Sequence, residues 1–379
     1  MFRNKKSVLV VALLVSFGIS SKAQVFTDTS FLKPLPRISG WADNEHYIVQ
    51  RYNRTTKKEI SYLVNAETGQ EKEYEVPASK ATDQLEVIKG DIFIISGKEK
   101  KQLTQTKEEE KVPAFSPDKK WVAFVKNNDL FAVEVATGKE TRFTTDGAET
   151  ILNGYASWVY YEEILGRSSQ YRAFWWSPNS KQIAFFRFDE SMVPMFPLYN
   201  SSGQHGFTER TRYPKAGDPN PEVKVGIASL QNGKVIWADF KPKDDQYFGA
   251  PFWRPDGSSL LVQWMPREQN NLKLYDIDLA SGSKKQIYNE EQSTWINWIK
   301  NLRWLKAGFL MIRDFDGWEQ IYYYAHDGRL IKKLTSGKNW RTEIERVDEK
   351  TKTVYYSSNA EISTRSDLYQ VQLDGSKQK

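Results

Sequence analysis

Short runs of alternating hydrophobic and polar residues repeat along the chain, and each run begins after a proline-containing turn. One copy opens at residues 115–118 (Phe-Ser-Pro-Asp), continues through apolar runs at 121–125 and 130–133, and closes at Thr137-Gly138. Similar copies open at 176–179 (Trp-Ser-Pro-Asn) and at 253–257 (Trp-Arg-Pro-Asp-Gly). Because proline fixes φ and the following residues close a turn, each copy predicts a β-hairpin whose alternation buries one face.

Weaker copies of the same pattern occupy most of the remaining sequence, at 41–69, 92–95, 302–328 and 354–375. A single copy is a small sheet with two open faces, so the copies must stack on one another. Their spacing is about the 40–50 residues that propeller blades use. We therefore predict an all-β fold over residues 24–379: a β-propeller of about seven four-stranded blades.

Two intervals in the pattern are longer than a blade. Pro117 and Pro178 are 61 residues apart, and Pro178 and Pro255 are 77 apart. We place insertions near 151–172 and near 191–222. Extra loops on a rigid scaffold are frequent carriers of function, so these two segments are the first places to look for a site.

The first 23 residues differ from the rest. Arg3, Lys5 and Lys6 precede an almost wholly apolar run at 8–19, and small residues flank the end of the segment at Ala23. This arrangement is typical of a secretory signal peptide cut after Ala23, and the apolar run is short for a membrane span. We expect an exported protein, periplasmic or extracellular and free of the membrane after cleavage; an uncut anchor is the alternative.

Charge and composition exclude several classes of function. The net charge of +6 includes four basic residues in the first 23, and their removal leaves 54 − 4 = 50 basic against 48 acidic residues. This near balance gives no reason to expect a nucleic-acid partner. The chain has no cysteine, and its three histidines are far apart in sequence, so we predict no metal and no cofactor.

Glu162 and Glu163 stand side by side in the most aromatic part of the chain, within residues 158–165 (Trp-Val-Tyr-Tyr-Glu-Glu-Ile-Leu). In a strand they would point to opposite faces, whereas on a helical turn both can reach one small target. A cation relieves the repulsion between adjacent carboxylates, and an ammonium group has three donors to offer them. On its own, the dipeptide favours a solvated pair on a short surface helix, because charged residues are mostly exposed.

The surroundings of the pair resemble a known family. Asn153-Gly154 before it and residues 175–179 (Trp-Trp-Ser-Pro-Asn) after it are similar to the glutamate-bearing segment of the dipeptidyl peptidase IV family, which are serine peptidases of the prolyl oligopeptidase type. A second block, 213–217 (Tyr-Pro-Lys-Ala-Gly) with Asn220-Pro221, resembles the family's next signature. The resemblance is strong over 113–225, weaker over 253–373 and weakest before 111.

The resemblance implies a propeller of eight blades followed by an α/β-hydrolase domain. It also implies that Glu162 and Glu163 bind the free N-terminus of a peptide substrate, and that dimers can form through propeller insertions. The family uses an arginine from an early blade as well, but Arg51 and Arg54 lie in no matching motif, so we assign none.

The nucleophile of the family is absent from this sequence. No Gly-x-Ser-x-Gly occurs, because Leu14 and Tyr199 stand where the first glycine should precede Ser16 and Ser201. The repeat pattern runs on to Lys379, so the resemblance implies that the end of the propeller and the hydrolase domain are missing. We assign no catalytic residue and expect no peptidase activity from these 379 residues alone.

Two functions remain open. In the first, the chain is the N-terminal, substrate-gating propeller of a secreted serine exopeptidase that releases N-terminal dipeptides. In the second, it is a non-catalytic propeller that binds peptides or proteins. A Gly-x-Ser-x-Gly elbow in the coding sequence beyond Lys379 would favour the first, and a genuine stop codon there would favour the second.

Overall fold

The computed structural model describes residues 36–77 and 82–379, so the predicted signal peptide lies outside the described residues. Contacts divide the chain after Val76 into two compact units. The first unit holds one antiparallel sheet, sheet 1, whose strands pair in chain order. Its strands are β1 (Arg37–Trp41), β2 (His46–Asn53), β3 (Lys58–Asn65) and β4 (Glu71–Glu73).

The described residues of the second unit form six further sheets in chain order, all antiparallel, and one separate hairpin. Sheet 2 contains β5 (Gln84–Ile88), β6 (Asp91–Ser96) and β7 (Glu99–Gln102). Sheet 3 contains β8 (Glu110–Phe115), β9 (Trp121–Lys126), β10 (Asp129–Glu134) and β11 (Glu140–Arg142). Sheet 4 is formed by β12 (Ile151–Asn153), β13 (Phe174–Trp176), β14 (Gln182–Asp189), β17 (Glu222–Ser229) and β18 (Val235–Trp237); the hairpin is β15 (Met195–Asn200) and β16 (Phe207–Arg212).

The last three sheets follow the same order. Sheet 5 contains β19 (Gln246–Phe248), β20 (Phe252–Trp253), β21 (Leu260–Pro266), β22 (Asn271–Ile277) and β23 (Lys284–Glu291). Sheet 6 contains β24 (Arg303–Leu305), β25 (Gly308–Arg313), β26 (Gln320–Ala325) and β27 (Leu330–Lys333). Sheet 7 contains β28 (Glu343–Asp348), β29 (Thr353–Ser358) and β30 (Asp367–Gln372).

The proline-containing turns have the hairpin geometry that the sequence predicts. In sheet 4, the Ser177 hydroxyl donates to Asn179 Oδ1 at 2.7 Å and accepts the Gln182 N–H at 3.0 Å. The same turns also connect neighbouring sheets. The Asp118 N–H of the sheet 3 turn donates to Ser180 Oγ at 3.1 Å, and Asn179 Nδ2 donates to the Asp256 carbonyl of sheet 5 at 3.2 Å.

Buried apolar residues fill the space between successive sheets of the second unit. Phe185 of sheet 4 packs with residues of sheet 3, whereas Phe186, on the opposite face of the same strand, packs with residues of sheet 5. Three further clusters join sheets 2 and 3, 5 and 6, and 6 and 7 in the same way. Sheets 3 to 6 therefore each bury both faces against their neighbours, as stacked blades must. The prediction of an all-β propeller is confirmed, although sheets 2 and 7 have three strands each in the described residues.

Sheet 4 differs from its neighbours in two ways that position the candidate site. Its first strand is divided into β12 and β13, which both pair with β14, and residues 154–173 form an insertion between them. The β15–β16 hairpin is a second excursion, between β14 and β17. Among the residues that the structure describes, none lies in a helix with the length and apolarity that crossing a membrane requires.

Candidate functional site

Glu162 and Glu163 lie on a single π-helical turn, Tyr160–Ile164, within the 154–173 insertion. The turn closes with the Leu165 N–H donating to the Tyr160 carbonyl at 2.7 Å. The sequence predicts a helical turn here, and the structure has one, but of the wider π type. Single π-turns are rare in proteins, and those that are present often lie at functional sites. Both carboxylates are thus carried on one short, closed element.

Tyr160 fastens this turn to the propeller core. Its side chain is fully buried, and its ring packs edge-on against Phe188 with centroids 4.7 Å apart. Its hydroxyl oxygen accepts the Phe248 N–H of sheet 5 at 3.1 Å. Burial raises the pKa of the Tyr160 phenol, so the hydroxyl stays neutral. The π-turn is therefore attached to the core by the packing of Tyr160 and by one buried hydrogen bond.

A stack of three tyrosine rings holds the side of the insertion. The Tyr171 ring lies against Tyr161 at 3.8 Å and against Tyr155 at 5.0 Å, nearly parallel to both. The Ala156 N–H donates to the Tyr171 carbonyl at 2.7 Å, which joins the two ends of the insertion. Burial raises the pKa of Tyr155 to about 12. The stack fixes the glutamate-bearing turn relative to residues 169–172.

The two carboxylates have different environments. Glu162 is mostly buried, with 15% of its side chain exposed, and its Oε2 accepts the Arg167 Nε–H at 2.6 Å. Glu163 is exposed and, over the described residues, forms no hydrogen bond or ion pair. Arg167 itself is 75% exposed, so its pairing with Glu162 is easily exchanged for another cation.

The second family-like block lies against the first. The Tyr213 ring packs on Trp158 with centroids 4.2 Å apart, immediately before the π-turn in sequence. Asn220 Nδ2 donates to the Tyr247 hydroxyl at 2.7 Å and so connects this block to sheet 5. The structure thus brings together the two motifs that carry the resemblance, although about 50 residues separate them in sequence.

Comparison with known proteins decides the family. A sequence profile described as "Dipeptidyl peptidase IV (DPP IV) N-terminal region" matches residues 87–379. The chain belongs to the dipeptidyl peptidase IV N-terminal family. Among its curated relatives, the probable dipeptidyl peptidase 4 of Arthroderma benhamiae is 31% identical over 276 residues, covering 69% of this chain and 35% of the relative. The probable dipeptidyl-aminopeptidase B of Aspergillus terreus is 29% identical over 293 residues, covering 69% and 32%.

Solved structures of the family show the same fold. Dipeptidyl peptidase 4 of Porphyromonas gingivalis has a TM-score of 0.70 at 24% identity, covering 93% of this chain and 54% of that protein. A putative dipeptidyl aminopeptidase IV from Bacteroides ovatus has a TM-score of 0.62 at 22% identity, covering 89% and 53%. The chain thus spans about a third of the length of the curated relatives and about half of these structures.

The sequence does not indicate several residues that complete this candidate site. Arg167 is the partner of Glu162, although no sequence pattern links these two residues. Arg167 begins a separate short turn, Arg167–Ser169, after the π-turn has ended, so helical spacing gives no signal for this pairing. Tyr171 joins the ring stack with a positive φ of 67°. Tyrosine rarely adopts a positive φ, so the sequence does not indicate this conformation. Among the early arginines, Arg51 pairs with Glu71 within sheet 1 at 2.7 Å.

Proposed function

We propose that this chain is the substrate-gating propeller of a secreted serine exopeptidase that releases N-terminal dipeptides, and that Glu162 and Glu163 bind the free N-terminus of the peptide. Membership of the dipeptidyl peptidase IV family over residues 87–379 supports the class of enzyme. The observation that carries the binding role is the presence of two carboxylates on one π-helical turn that buried Tyr160 holds in place.

The chemistry of the pair suits an ammonium group. Such a group offers three N–H donors, and carboxylate oxygens are the acceptors that bind it most strongly. Within the described part of the chain, both Glu163 oxygens are free to accept, and Glu162 exchanges the Arg167 Nε–H for the incoming ammonium at Oε2. An N-acetylated peptide has no positive charge at this end and offers a single amide N–H. The site therefore selects peptides by the positive charge of their N-terminal amino group.

Binding at the N-terminus determines which bond is cleaved. When the ammonium is fixed, the distance along the extended peptide places one carbonyl at the nucleophile, and binding energy far from that carbonyl serves to position it. The nucleophile, its base and the orienting acid would come from the α/β-hydrolase domain that the family resemblance implies. The propeller's own contribution is to measure the peptide from its free end and to restrict entry.

Titration calorimetry with the exported chain tests the binding role. The ligands are the tripeptide Ile-Pro-Ile and its N-acetylated form. We expect Glu162→Gln and Glu163→Gln each to weaken binding of the free peptide about tenfold or more, because a charge-assisted hydrogen bond contributes about 1.5–3 kcal/mol. The melting temperature should hardly change, since Glu163 is exposed and the ion pair of Glu162 with the solvent-exposed Arg167 contributes little to the stability of the fold.

Glu361→Gln is the matched control, because Glu361 also stands near an arginine, Arg365 at 4.0 Å, but on an exposed loop of sheet 7. This variant should bind both peptides as the unmodified chain does. Equal affinity for free and acetylated peptides, or undiminished affinity in both site variants, would contradict the role of the pair. Turnover of an Xaa-Pro anilide by the product of the complete gene then separates the exopeptidase from a non-catalytic binding propeller.

A further inference from the structure

A cavity of about 360 Å³ opens beside the glutamate-bearing insertion. One wall is apolar and comes from the first strands of sheets 2 and 3: Leu85, Val87, Val112 and Pro113. The opposite wall is polar and comes from the insertion itself: Ser169, Gln170 and Arg172. The volume is sufficient for one or two amino-acid side chains, and the two walls suit a group with an apolar stem and a polar end.

Arg172 places an uncompensated positive charge in this cavity. Its side chain is exposed and, in the part of the chain that the structure describes, forms no hydrogen bond or ion pair. Partial desolvation by the surrounding protein lowers the pKa of Arg172, although the side chain stays accessible to solvent. Glu86, the carboxylate among the described lining residues, is paired with Lys100 at 3.2 Å. The cavity therefore has a charge that an anionic ligand would neutralise.

The backbone around the cavity is strained on both sides. Gln170 and Tyr171 have φ values of 50° and 67°, and Val112, at an irregularity in β8, has a φ of 49°. Residues with side chains rarely adopt positive φ, and for a β-branched residue it is a true outlier. The Ser169 hydroxyl is also buried and has no hydrogen-bond partner among the described residues. Backbone strain and unsatisfied buried hydroxyl groups both occur preferentially at ligand-binding sites.

The polar wall of the cavity and the glutamate pair belong to the same insertion. Tyr171, next to Arg172 in the chain, stacks at 3.8 Å on Tyr161, which is next to Glu162. We propose that the cavity binds the carboxylate of an aspartate or glutamate side chain in the first two residues of a peptide, with Arg172 as the specificity-determining residue. This inference rests on the proposed function, because the peptide's N-terminus is taken to lie on Glu162 and Glu163.

The geometry favours a side-chain carboxylate over a neutral group. A guanidinium offers paired N–H donors that match two carboxylate oxygens, and the Ser169 hydroxyl and Gln170 amide add further donors. The methylene stem of the acidic side chain would contact Val87 and Val112 on the apolar wall. A neutral amide of the same shape would leave the charge of Arg172 uncompensated.

Matched peptide pairs test the proposal in the exported chain: Ala-Glu-Ala against Ala-Gln-Ala, and Glu-Ala-Ala against Gln-Ala-Ala. We expect the acidic member of at least one pair to bind about tenfold more tightly or better, as for a charge-assisted hydrogen bond. Arg172→Met should remove this preference, and Arg172→Lys should keep part of it. Arg303→Met, at an exposed position of β24 in sheet 6, is the matched control and should leave the preference unchanged.

The ratio of the affinities of the unmodified chain for the acidic and the amide peptide of each pair tests the proposal even when a variant fails to fold. A ratio near one in both pairs, or a ratio that survives Arg172→Met, would overturn it. Acetylated versions of the same peptides keep this test separate from that of the proposed function. Acid preference that persists while acetylation has no effect would count against the glutamate pair alone, and strong dependence on the free amine without acid preference would count against Arg172 alone.

Discussion

Replacing Tyr160 by phenylalanine tests how the candidate site is held in place. The substitution removes one oxygen atom and leaves the ring, so the edge-on contact with Phe188 and the packing of the core stay as they are. The Phe248 N–H, which donates to that oxygen at 3.1 Å, is left buried without an acceptor. A buried donor without a partner costs about 1–3 kcal/mol, so the free energy of unfolding should fall by that amount.

Urea unfolding followed by tryptophan fluorescence measures the change. Tyr199→Phe is the matched control, because Tyr199 lies on the hairpin with 73% of its surface exposed and should give a change within about 0.5 kcal/mol of zero. Peptide affinity should fall less in Tyr160→Phe than in the glutamate variants, since both carboxylates remain. A loss of stability no larger than that of Tyr199→Phe would refute the role of Tyr160 as the anchor of the turn.

Three further predictions concern stability, pH and processing. Glu290→Gln should destabilise the protein by about 3–5 kcal/mol in urea unfolding, because Arg313, which Glu290 binds at 2.7 Å with both side chains buried, would keep a buried charge without its partner. Burial raises the pKa of Glu190 to about 7, so the native state resists its ionisation and stability should decline as pH rises from about 4.5 to 7. Glu190→Gln should remove that decline in thermal melts across this pH range, and an unchanged pH profile would contradict the assignment. N-terminal sequencing of the exported protein should begin at or near Gln24, whereas a membrane-bound form that retains Met1 would contradict cleavage.

The sequence predicts the sheets well because the signals that form them are local. The turn at Ser177 and Pro178 needs only the residues that stand there, and its hydroxyl and amide bonds form as those residue types dictate. Stacking of the sheets follows from alternation on both faces of strands such as β14, where Phe185 and Phe186 enter different cores. The position of the glutamate pair on a helical turn is likewise a local property of the segment 156–165.

The features that complete the site depend on contacts between distant segments. The bond from Phe248 to Tyr160 joins residues 88 positions apart, and no local pattern indicates it. The ring stack needs Tyr171 in a conformation that tyrosine rarely adopts and that only the closed insertion enforces. The cavity at Arg172 combines strands from two sheets with the insertion, so it exists only in the folded protein. A single sequence identifies the residues that carry charge but not the cavities that surround them.

The central claim is that this propeller selects peptides by their free N-terminus through Glu162 and Glu163. The most direct measurement is kcat/KM for an Xaa-Pro anilide and for its N-acetylated form, with the propeller joined to an α/β-hydrolase domain. We predict that the free substrate is preferred about tenfold or more, and that Glu162→Gln and Glu163→Gln each lower kcat/KM for the free substrate while changing the acetylated one little. Unchanged kcat/KM for the free substrate in both variants would contradict the claim.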